Sequence, residues 1–445
     1  MQLTILGGGG FRTPLVYQAI QRAPDLGIDD VVLQDVDDDR LRTIERVLQQ
    51  MRTGDHGPYV RTTSRLDEAL DGADFVFSAI RVGGLAGRTA DERVALDLGL
   101  LGQETTGPGG VAFGLRTIPM AVHIAEQVAR VAPTAWVINF TNPAGMITEA
   151  MQSVVGERVI GICDSPVGLA RRAARAAGIE IDRASVDYVG LNHLGWLRSL
   201  TLDGTDVLPA LLADPERLTT FEEGRLFGPE WLQDLGMLPN EYLYYYYFTR
   251  DAVASITGAD RTRGELLVDQ QRAFYSSVSR DPHSALTRWH AARRERDASY
   301  MQESRAAGEQ RDPDDVEGGG YEGVAIALMN ALAHGVATDL VLDVRNGTTI
   351  PQLPADSVVE VPCRVDASGA DPARIAPLTG HAAGLVEQVK EVERLTIRAA
   401  LEGSPRLART ALALHPLVDS VTIAQRLLDE YRRRIPTLDS VFRQS

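Results

Sequence analysis

Cysteine is nearly absent from this chain of 445 residues: only Cys163 and Cys363 are present. Two cysteines cannot build a disulfide framework, so a reducing, cytoplasmic setting is the expectation. Long apolar runs are missing too. None approaches the roughly 20 residues that a membrane span requires. The short apolar stretch that starts at Leu3 runs straight into glycines, unlike a secretory leader. Positive charge is in deficit: 45 Lys and Arg face 61 Asp and Glu, a formal net charge of −16. That balance argues against nucleic acid or an anionic membrane as a partner. An anionic small molecule would need a local cluster of arginines and backbone donors. Internal repeats and low-complexity tracts are absent as well. What remains, 44% hydrophobic and 24% charged residues, is the mixture of a globular protein with room for two domains or one large core.

The first 150 residues alternate between apolar runs and helical patterns. Leu3–Leu6, Val31–Val36, Phe75–Ile80 and Trp136–Phe140 read as strands, and Arg40–Met51 and Ile118–Val131 as helices. Such alternation predicts a doubly wound parallel sheet, whose ligands bind at the carboxyl ends of the strands. Beyond about residue 195 the pattern changes to long helices (Arg263–Ser279, His283–Tyr300, Val324–His334), interrupted by strand-like Thr338–Arg345 and Ser357–Val365. The last 65 residues read as helical, and acidic Glu309–Gly320 reads as a surface loop. The expected fold is α/β, with a Rossmann-like domain over 1–195 followed by a mixed α+β domain over 196–445.

The first strand ends in Gly7, Gly8, Gly9 and Gly10, followed by Phe11. Glycine there lets the backbone take positive φ and approach a pyrophosphate closely. The G-x-G-x-x-G pattern is incomplete, because Arg12 occupies its third place. Asp35, at the end of the second strand, supplies the carboxylate that commonly holds a ribose, which favours NAD over NADP. Asp37 to Asp39 read as turn and cap residues.

Further segments carry a more specific signal. They are Arg81-Val-Gly-Gly with Arg88 and Asp91-Glu92, Gly102-Gln-Glu-Thr-Thr-Gly-Pro-Gly-Gly110, Leu115-Arg-Thr-Ile-Pro119 and Asn139-Phe-Thr-Asn-Pro-Ala-Gly145. Gly161-Ile-Cys-Asp-Ser-Pro166, Gly190-Leu-Asn-His-Leu194 and Pro239-Asn-Glu-Tyr-Leu243 follow, then Val359-Glu-Val-Pro-Cys363 and His415-Pro-Leu-Val418. In this order they resemble glycoside hydrolase family 4, the NAD- and metal-dependent glycosidases, over nearly the whole chain. The glycine turn departs from the family, many of whose members have Ser and Tyr in place of Gly10 and Arg12.

The resemblance implies a cofactor, a cation and a set of roles. Cys163 and His193 fall on the metal-ligand positions, and a thiolate with an imidazole suits a borderline divalent ion, with Mn2+ the one suggested. Tyr242 falls on the base and Asp164 on a candidate acid for the leaving oxygen. Arg88 and Arg263 fall on substrate-contacting positions, where arginine forks suit phosphate and paired hydroxyls, and Asn142, at a strand end just before Pro143, would offer its amide to the sugar hydroxyls or the nicotinamide ribose. In the implied chemistry NAD oxidises the sugar C3 hydroxyl, which acidifies the C2 proton, and removal of that proton expels the C1 substituent. Water adds back and the hydride returns, so no carboxylate pair is required. A tyrosine is a poor base near neutrality unless a nearby cation lowers its pKa.

The expected substrates are 6-phospho-β-glucosides, on the likeness of the Arg81–Pro119 region. Asp164 points the other way, since β-specific members usually carry Asn after this cysteine and phospho-α-glucosidases carry Asp. A 6-phospho-α-glucosidase or a glycosidase for unphosphorylated sugars is therefore the alternative within the family. An NAD-dependent hydroxyacid dehydrogenase, or an NAD-binding sensor without turnover, is the alternative outside it; neither would need Cys163, His193 and Tyr242 together. Asp164 also reads as a helix cap, and Tyr244 to Tyr247 as packing. The resemblance further implies a homodimer or homotetramer.

Overall fold

A computed structural model of the chain describes residues 1–52, 57–300 and 320–443. Six short segments form its parallel half: β1 (Gln2–Leu6), β2 (Asp30–Gln34), β3 (Tyr59–Thr63), β4 (Phe75–Ser78), β5 (Trp136–Asn139) and β6 (Val159–Gly161). Their order, β3-β2-β1-β4-β5-β6, is that of doubly wound dinucleotide-binding sheets, with the switch point between β1 and β4. Helices cover both faces, so Leu3, Val31, Val32, Val76 and Val137 are all fully buried. This explains why the central strands read as unbroken apolar runs.

The sheet continues beyond β6 with antiparallel strands. β7 (Ser185–Leu191), β8 (Leu194–Leu202), β9 (Thr205–Asp206), β10 (Leu238–Pro239), β11 (Thr338–Arg345), β12 (Val358–Asp366) and β13 (Gly369–Pro372) supply them. From β6 the order runs β11-β12-β7-β8-β10, with β9 on β8 and β13 on β12. Residue 195 falls within the β7–β8 hairpin, so segments 1–195 and 196–445 share one sheet. Tertiary pairing decides this, because β11 crosses the chain to join β6 through Asp343 and Gly161.

Several boundaries differ from expectation. β2 stops at Gln34, so Asp35 begins the turn and Val36 is on the surface. The helix expected at Ile118 starts ten residues earlier, spanning Pro108–Val131. Pro108 is pre-set for a first helical turn, and Gly109 and Gly110 pass so close to the Gln103 and Thr105 carbonyls that a Cβ would collide with them. β3 and β6 extend the four strands read from the sequence to six. Helices Arg263–Arg280, Ala285–Ala298 and Tyr321–His334 match those expected to within a few residues. Most of the loop expected over Glu309–Gly320 lies outside the described residues. Among the described residues no helix is long and apolar enough to cross a membrane.

Long helices of the second half fold back on the first. Arg263–Arg280 packs on helix Gly84–Leu96, Ala285–Ala298 on helix Asp38–Met51, and Gly380–Leu401 on Pro108–Val131. The last of these carries Lys390, the only lysine in the chain. It is 1% exposed, 3.1 Å from Glu149 and paired also with Glu393. Glu149 in turn accepts the Val358 N–H at 2.9 Å, which ties β12 to helix Ala144–Val155. Removing one member of a buried charge cluster leaves the others uncompensated. Lys390→Met should therefore lose about 3–5 kcal/mol, read as the urea-unfolding free energy at pH 7.

Candidate active site

The glycine turn is shaped by what surrounds it. Gly7 has φ +77°, and a Cβ there would lie 2.6 Å from the Ala79 carbonyl oxygen beyond β4. The Gly8 N–H donates to the Gln34 carbonyl at 2.7 Å, and the Gly10 N–H to the Gly7 carbonyl at 2.8 Å. Residues of the second half then hold the turn by its outward carbonyls. Tyr275 donates to the Gly9 carbonyl at 2.6 Å, Trp289 to that of Phe11 at 2.9 Å, and Tyr321 to that of Arg12 at 3.1 Å. The Phe11 ring packs edge-on against Phe274 at 5.5 Å, and so anchors the turn. Asp35 lines the same cavity. One of its oxygens accepts the Gly9 N–H and the other the Asp37 N–H, both at 3.1 Å. Burial raises its pKa against those two donors. Asp37 caps the following helix by accepting the Arg40 N–H, as the sequence suggested.

The cavity extends from this turn over the ends of β4, β5 and β6, with a volume of about 1660 Å³. That exceeds the roughly 300–1,000 Å³ of an ordinary single-ligand pocket. Cys163 and His193 both line it. Cys163 lies two residues past β6, just before helix Ser165–Ala177. His193 lies in the two-residue connection between β7 and β8, with a left-handed backbone at φ +63°. A non-glycine residue in that region is strained and persists only where its surroundings over-determine it. Its Nδ1 is a hydrogen-bond partner of Thr105 Oγ1 at 3.1 Å, leaving Nε2 as the nitrogen available to a ligand. Burial pushes the imidazole down to about 3 and, with Glu360, pushes the Cys163 thiol up. Among the described residues no group of three or more His, Cys, Asp or Glu side chains is arranged around a metal. The thiol and imidazole donor pair fits a borderline divalent ion whose other positions go to water or substrate.

Tyr242 stacks on His193, with ring centroids 3.6 Å apart and planes within 10°. Its hydroxyl lies 3.2 Å from that of Tyr300. Burial, reinforced by Glu241, pushes the phenol up, so a role as base requires positive charge beside it. Asp164 is exposed to the cavity and its side chain does not cap the helix it precedes. The Arg12 guanidinium lies near enough to feel its charge. Asn142 also lines the cavity, and its side-chain oxygen is buried and makes no hydrogen bond. Tyr244 to Tyr247 pack as expected: Tyr247, for example, accepts from Trp196 at 2.9 Å.

The arginines are arranged less simply than the sequence suggested. Arg88 is buried and neutralised by Glu92 at 3.0 Å and Glu104 at 2.7 Å. The second oxygen of Glu92 accepts the Gly264 N–H at 2.8 Å, which fixes the start of the helix that carries Arg263. Arg263 donates to Ser299 and to the Arg296 carbonyl. Sequence reasoning passed over Arg296 and Tyr300. Arg296 sits in the run Arg293-Arg-Glu-Arg-Asp297 at the end of helix Ala285–Ala298, which looks like any solvated face until it packs inward, and Tyr300 lies just beyond that helix. Arg296 sits over the Phe11 ring at 5.7 Å. Burial and the neighbouring Arg12, Arg263 and Arg88 push it well below the usual arginine range. This is the local cluster of positive charge that the overall charge of −16 made necessary for an anionic ligand.

Sheet order, glycine turn and cavity define a protein of the Rossmann class. The chain belongs to the family 4 glycosyl hydrolases, whose pattern matches residues 2–179 and whose C-terminal domain matches residues 188–418. It is 31% identical to a "Probable 6-phospho-beta-glucosidase" of Bacillus subtilis strain 168, over 97% of this chain and 95% of that one. It is 29% identical to a maltose-6'-phosphate glucosidase of the same organism, over 96% and 94%. A crystal structure of the 6-phospho-beta glucosidase from Thermotoga maritima with manganese, NAD+ and glucose-6-phosphate superimposes with a TM-score of 0.80. That enzyme is 27% identical, with 98% of each chain covered. Family membership removes the dehydrogenase and sensor alternatives.

Glu104 is the one carboxylate between Arg81 and Arg88, each 2.7 Å away. Burial alone would raise its pKa, but the two guanidinium groups prevail and hold it at about 2, against an ordinary value of 4.5. A depressed folded-state value stabilises the protein above the unfolded pKa and loses its effect as pH falls through the folded one. Glu104→Gln should therefore be less stable than wild type at neutrality. Unfolding free energies measured at stepped pH should show that difference intact above 4.5 and shrinking as pH falls towards 2.

Proposed function

We propose that this chain hydrolyses 6-phosphoglucosides, with β-glucosides as the principal substrates, using NAD and a divalent cation, Mn2+ in the first instance. The observation that carries the reading is the Cys163–His193 pair in one cavity with Tyr242 stacked on the imidazole. The relatives named above, phosphoglucosidases that cover nearly the whole chain, support it. Bound NAD would supply a reversible hydride acceptor, and the cation would supply positive charge beside the sugar oxygens. The glycine turn with Phe11 and Asp35 would seat the dinucleotide, and Cys163 and His193 would hold the cation.

The remaining roles fall to side chains around the sugar. Tyr242 takes the C2 proton, with Tyr300 beside it as the next hydroxyl. Asp164, free of any capping duty, gives a proton to the departing C1 oxygen and then accepts one from the water that adds at C1. Asn142 uses its unpaired oxygen on a hydroxyl. Arg263 meets the phosphate directly. Arg88, already neutralised by two carboxylates, orients more than it attracts. Asp164 also favours a second reading, cleavage of 6-phospho-α-glucosides, because the family resemblance associates Asp at this position with the α-specific members.

Paired α and β chromogenic glucosides, with and without the 6-phosphate, separate these readings when assayed with NAD and Mn2+ added or withheld. Turnover should need the phosphate, the nucleotide and the cation, and should be faster on the β partner. Full activity without nucleotide and cation would refute the proposal. Tyr242→Phe should suppress exchange of the C2 proton with deuterated solvent, and unchanged exchange would remove Tyr242 from the base role. Arg263→Ala should raise KM for phosphorylated substrates by about 1.5–3 kcal/mol, the range for a hydrogen bond to a charged group. An unaltered KM would place the phosphate elsewhere.

A further inference from the structure

The Val359-Glu-Val-Pro-Cys363 segment has so far been given no role. Its acid, Glu360 on β12, is 1% exposed and stands at the centre of the sheet. Across the sheet, Gly161 of β6 pairs with Asp343 of β11, Asp343 with Glu360, and Glu360 with Gly190 of β7. This row is where the parallel half meets the antiparallel half. Cys163 lies two residues beyond one end of it and His193 three residues beyond the other.

Glu360 has two branches of hydrogen bonds. One oxygen accepts from Asn192 at 3.3 Å, and Asn192 adjoins His193 in the two-residue connection. The other accepts from Tyr188 at 3.1 Å. The Tyr188 hydroxyl itself accepts from Asn240 at 2.9 Å, two residues before Tyr242. Asn240 is further tied to the hairpin through its N–H, 3.0 Å from the Gly195 carbonyl. Glycine at 195 makes this possible, because the Tyr188 ring crosses where a Cβ would stand.

We infer that Glu360 is a positioning residue that sets His193 through Asn192 and Tyr242 through Tyr188 and Asn240, so that one buried carboxylate holds ligand and base in register. The inference rests on the reading of Cys163 and His193 as metal ligands and Tyr242 as base. Its physical basis is the strained backbone of His193 and the short stacking distance to Tyr242. Neither survives a loose hairpin, and the Glu360 carboxyl is hydrogen-bonded towards both. Outer groups of this kind orient metal ligands, and their loss typically lowers metal affinity or activity about 10–100-fold.

The test uses the full-length protein and Co2+ alone as metal probe, following thiolate-to-cobalt absorption and the Co2+ dissociation constant. C2-proton exchange, NAD affinity and melting temperature are measured alongside. Glu360→Ala should weaken Co2+ binding and slow exchange, each by about tenfold or more, with NAD affinity unchanged. Glu360→Gln, which keeps an acceptor and the side-chain shape, should recover most of both. Tyr188→Phe cuts only the second branch, so it should slow exchange and leave Co2+ affinity and absorption at wild-type values. A Glu360→Ala protein that melts lower but keeps wild-type Co2+ affinity, absorption and exchange would overturn the inference. If that variant does not fold, normal exchange in Tyr188→Phe would overturn the link to Tyr242. Wild-type protein that binds no Co2+ would instead overturn the metal reading, and the inference with it.

Discussion

The site exists because two kinds of strand meet in one sheet. The parallel half ends at β6, and the chain after it makes an antiparallel hairpin elsewhere; only when β11 and β12 slot between β6 and β7 do the two become neighbours. Main-chain pairing at Asp343–Gly161 and Glu360–Gly190 closes the junction. A thiol from the end of a parallel strand and an imidazole from the tip of a hairpin then open onto one cavity. The parallel strands supply one member of the pair and the antiparallel hairpin the other. The tight turn in which Tyr275, Trp289 and Tyr321 grip the glycine loop repeats the pattern, with the second half completing what the first begins.

What could be read from the sequence follows from this geometry. Local signals survived well: the glycine turn, the Asp37 cap and the long helices depend on residues near one another in the chain. Cys163, His193 and Tyr242 could be linked only through the resemblance, because a buried cysteine and a lone histidine carry no spacing that reveals their proximity. Arg88 shows a different limit. Its fork was legible, but its neutralisation by Glu104, sixteen residues away across a glycine-rich loop, was not. Arg296 and Tyr300 were invisible for the opposite reason, since an inward-facing guanidinium on a highly charged helix has the same local pattern as an outward-facing one. Among the motif residues, Asp91 proves to be scaffold. It receives both arms of Arg116, at 2.7 and 2.6 Å, with both side chains fully buried.

Electrostatics reconciles an acidic protein with an anionic substrate. The charge of −16 is a property of the whole surface, screened within about 10 Å in ordinary salt. The cavity wall is governed by its own groups, and there Arg12, Arg263 and Arg88 lie close enough to Arg296 to depress it. Glu92 and Glu104 both form ion pairs with Arg88. A guanidinium depressed by neighbouring cations, as Arg296 is, is relieved by an incoming dianion, which favours phosphate over a neutral hydroxyl beside it.

The use of lysine once, in a chain that otherwise relies wholly on arginine for its cationic side chains, fits the same logic in reverse. A guanidinium brings five N–H donors in a rigid plane, and each needs an acceptor when buried. Beneath the junction the available acceptors are the carboxylates of Glu149 and Glu393, on two different helices. An ammonium is compact, has three donors and can sit between two carboxylates without a planar fit. Where a buried arginine is used instead, at Arg116, a single carboxylate, Asp91, meets it with both oxygens in one plane. The Lys390 charge holds Glu149 where it can accept the Val358 N–H, at the residue where β12 begins. The strand that carries Glu360 is therefore fixed from below by a buried ion cluster and from the side by its neighbours in the sheet. A carboxylate needs that rigidity if it is to hold two segments of an active site to within a fraction of an ångström.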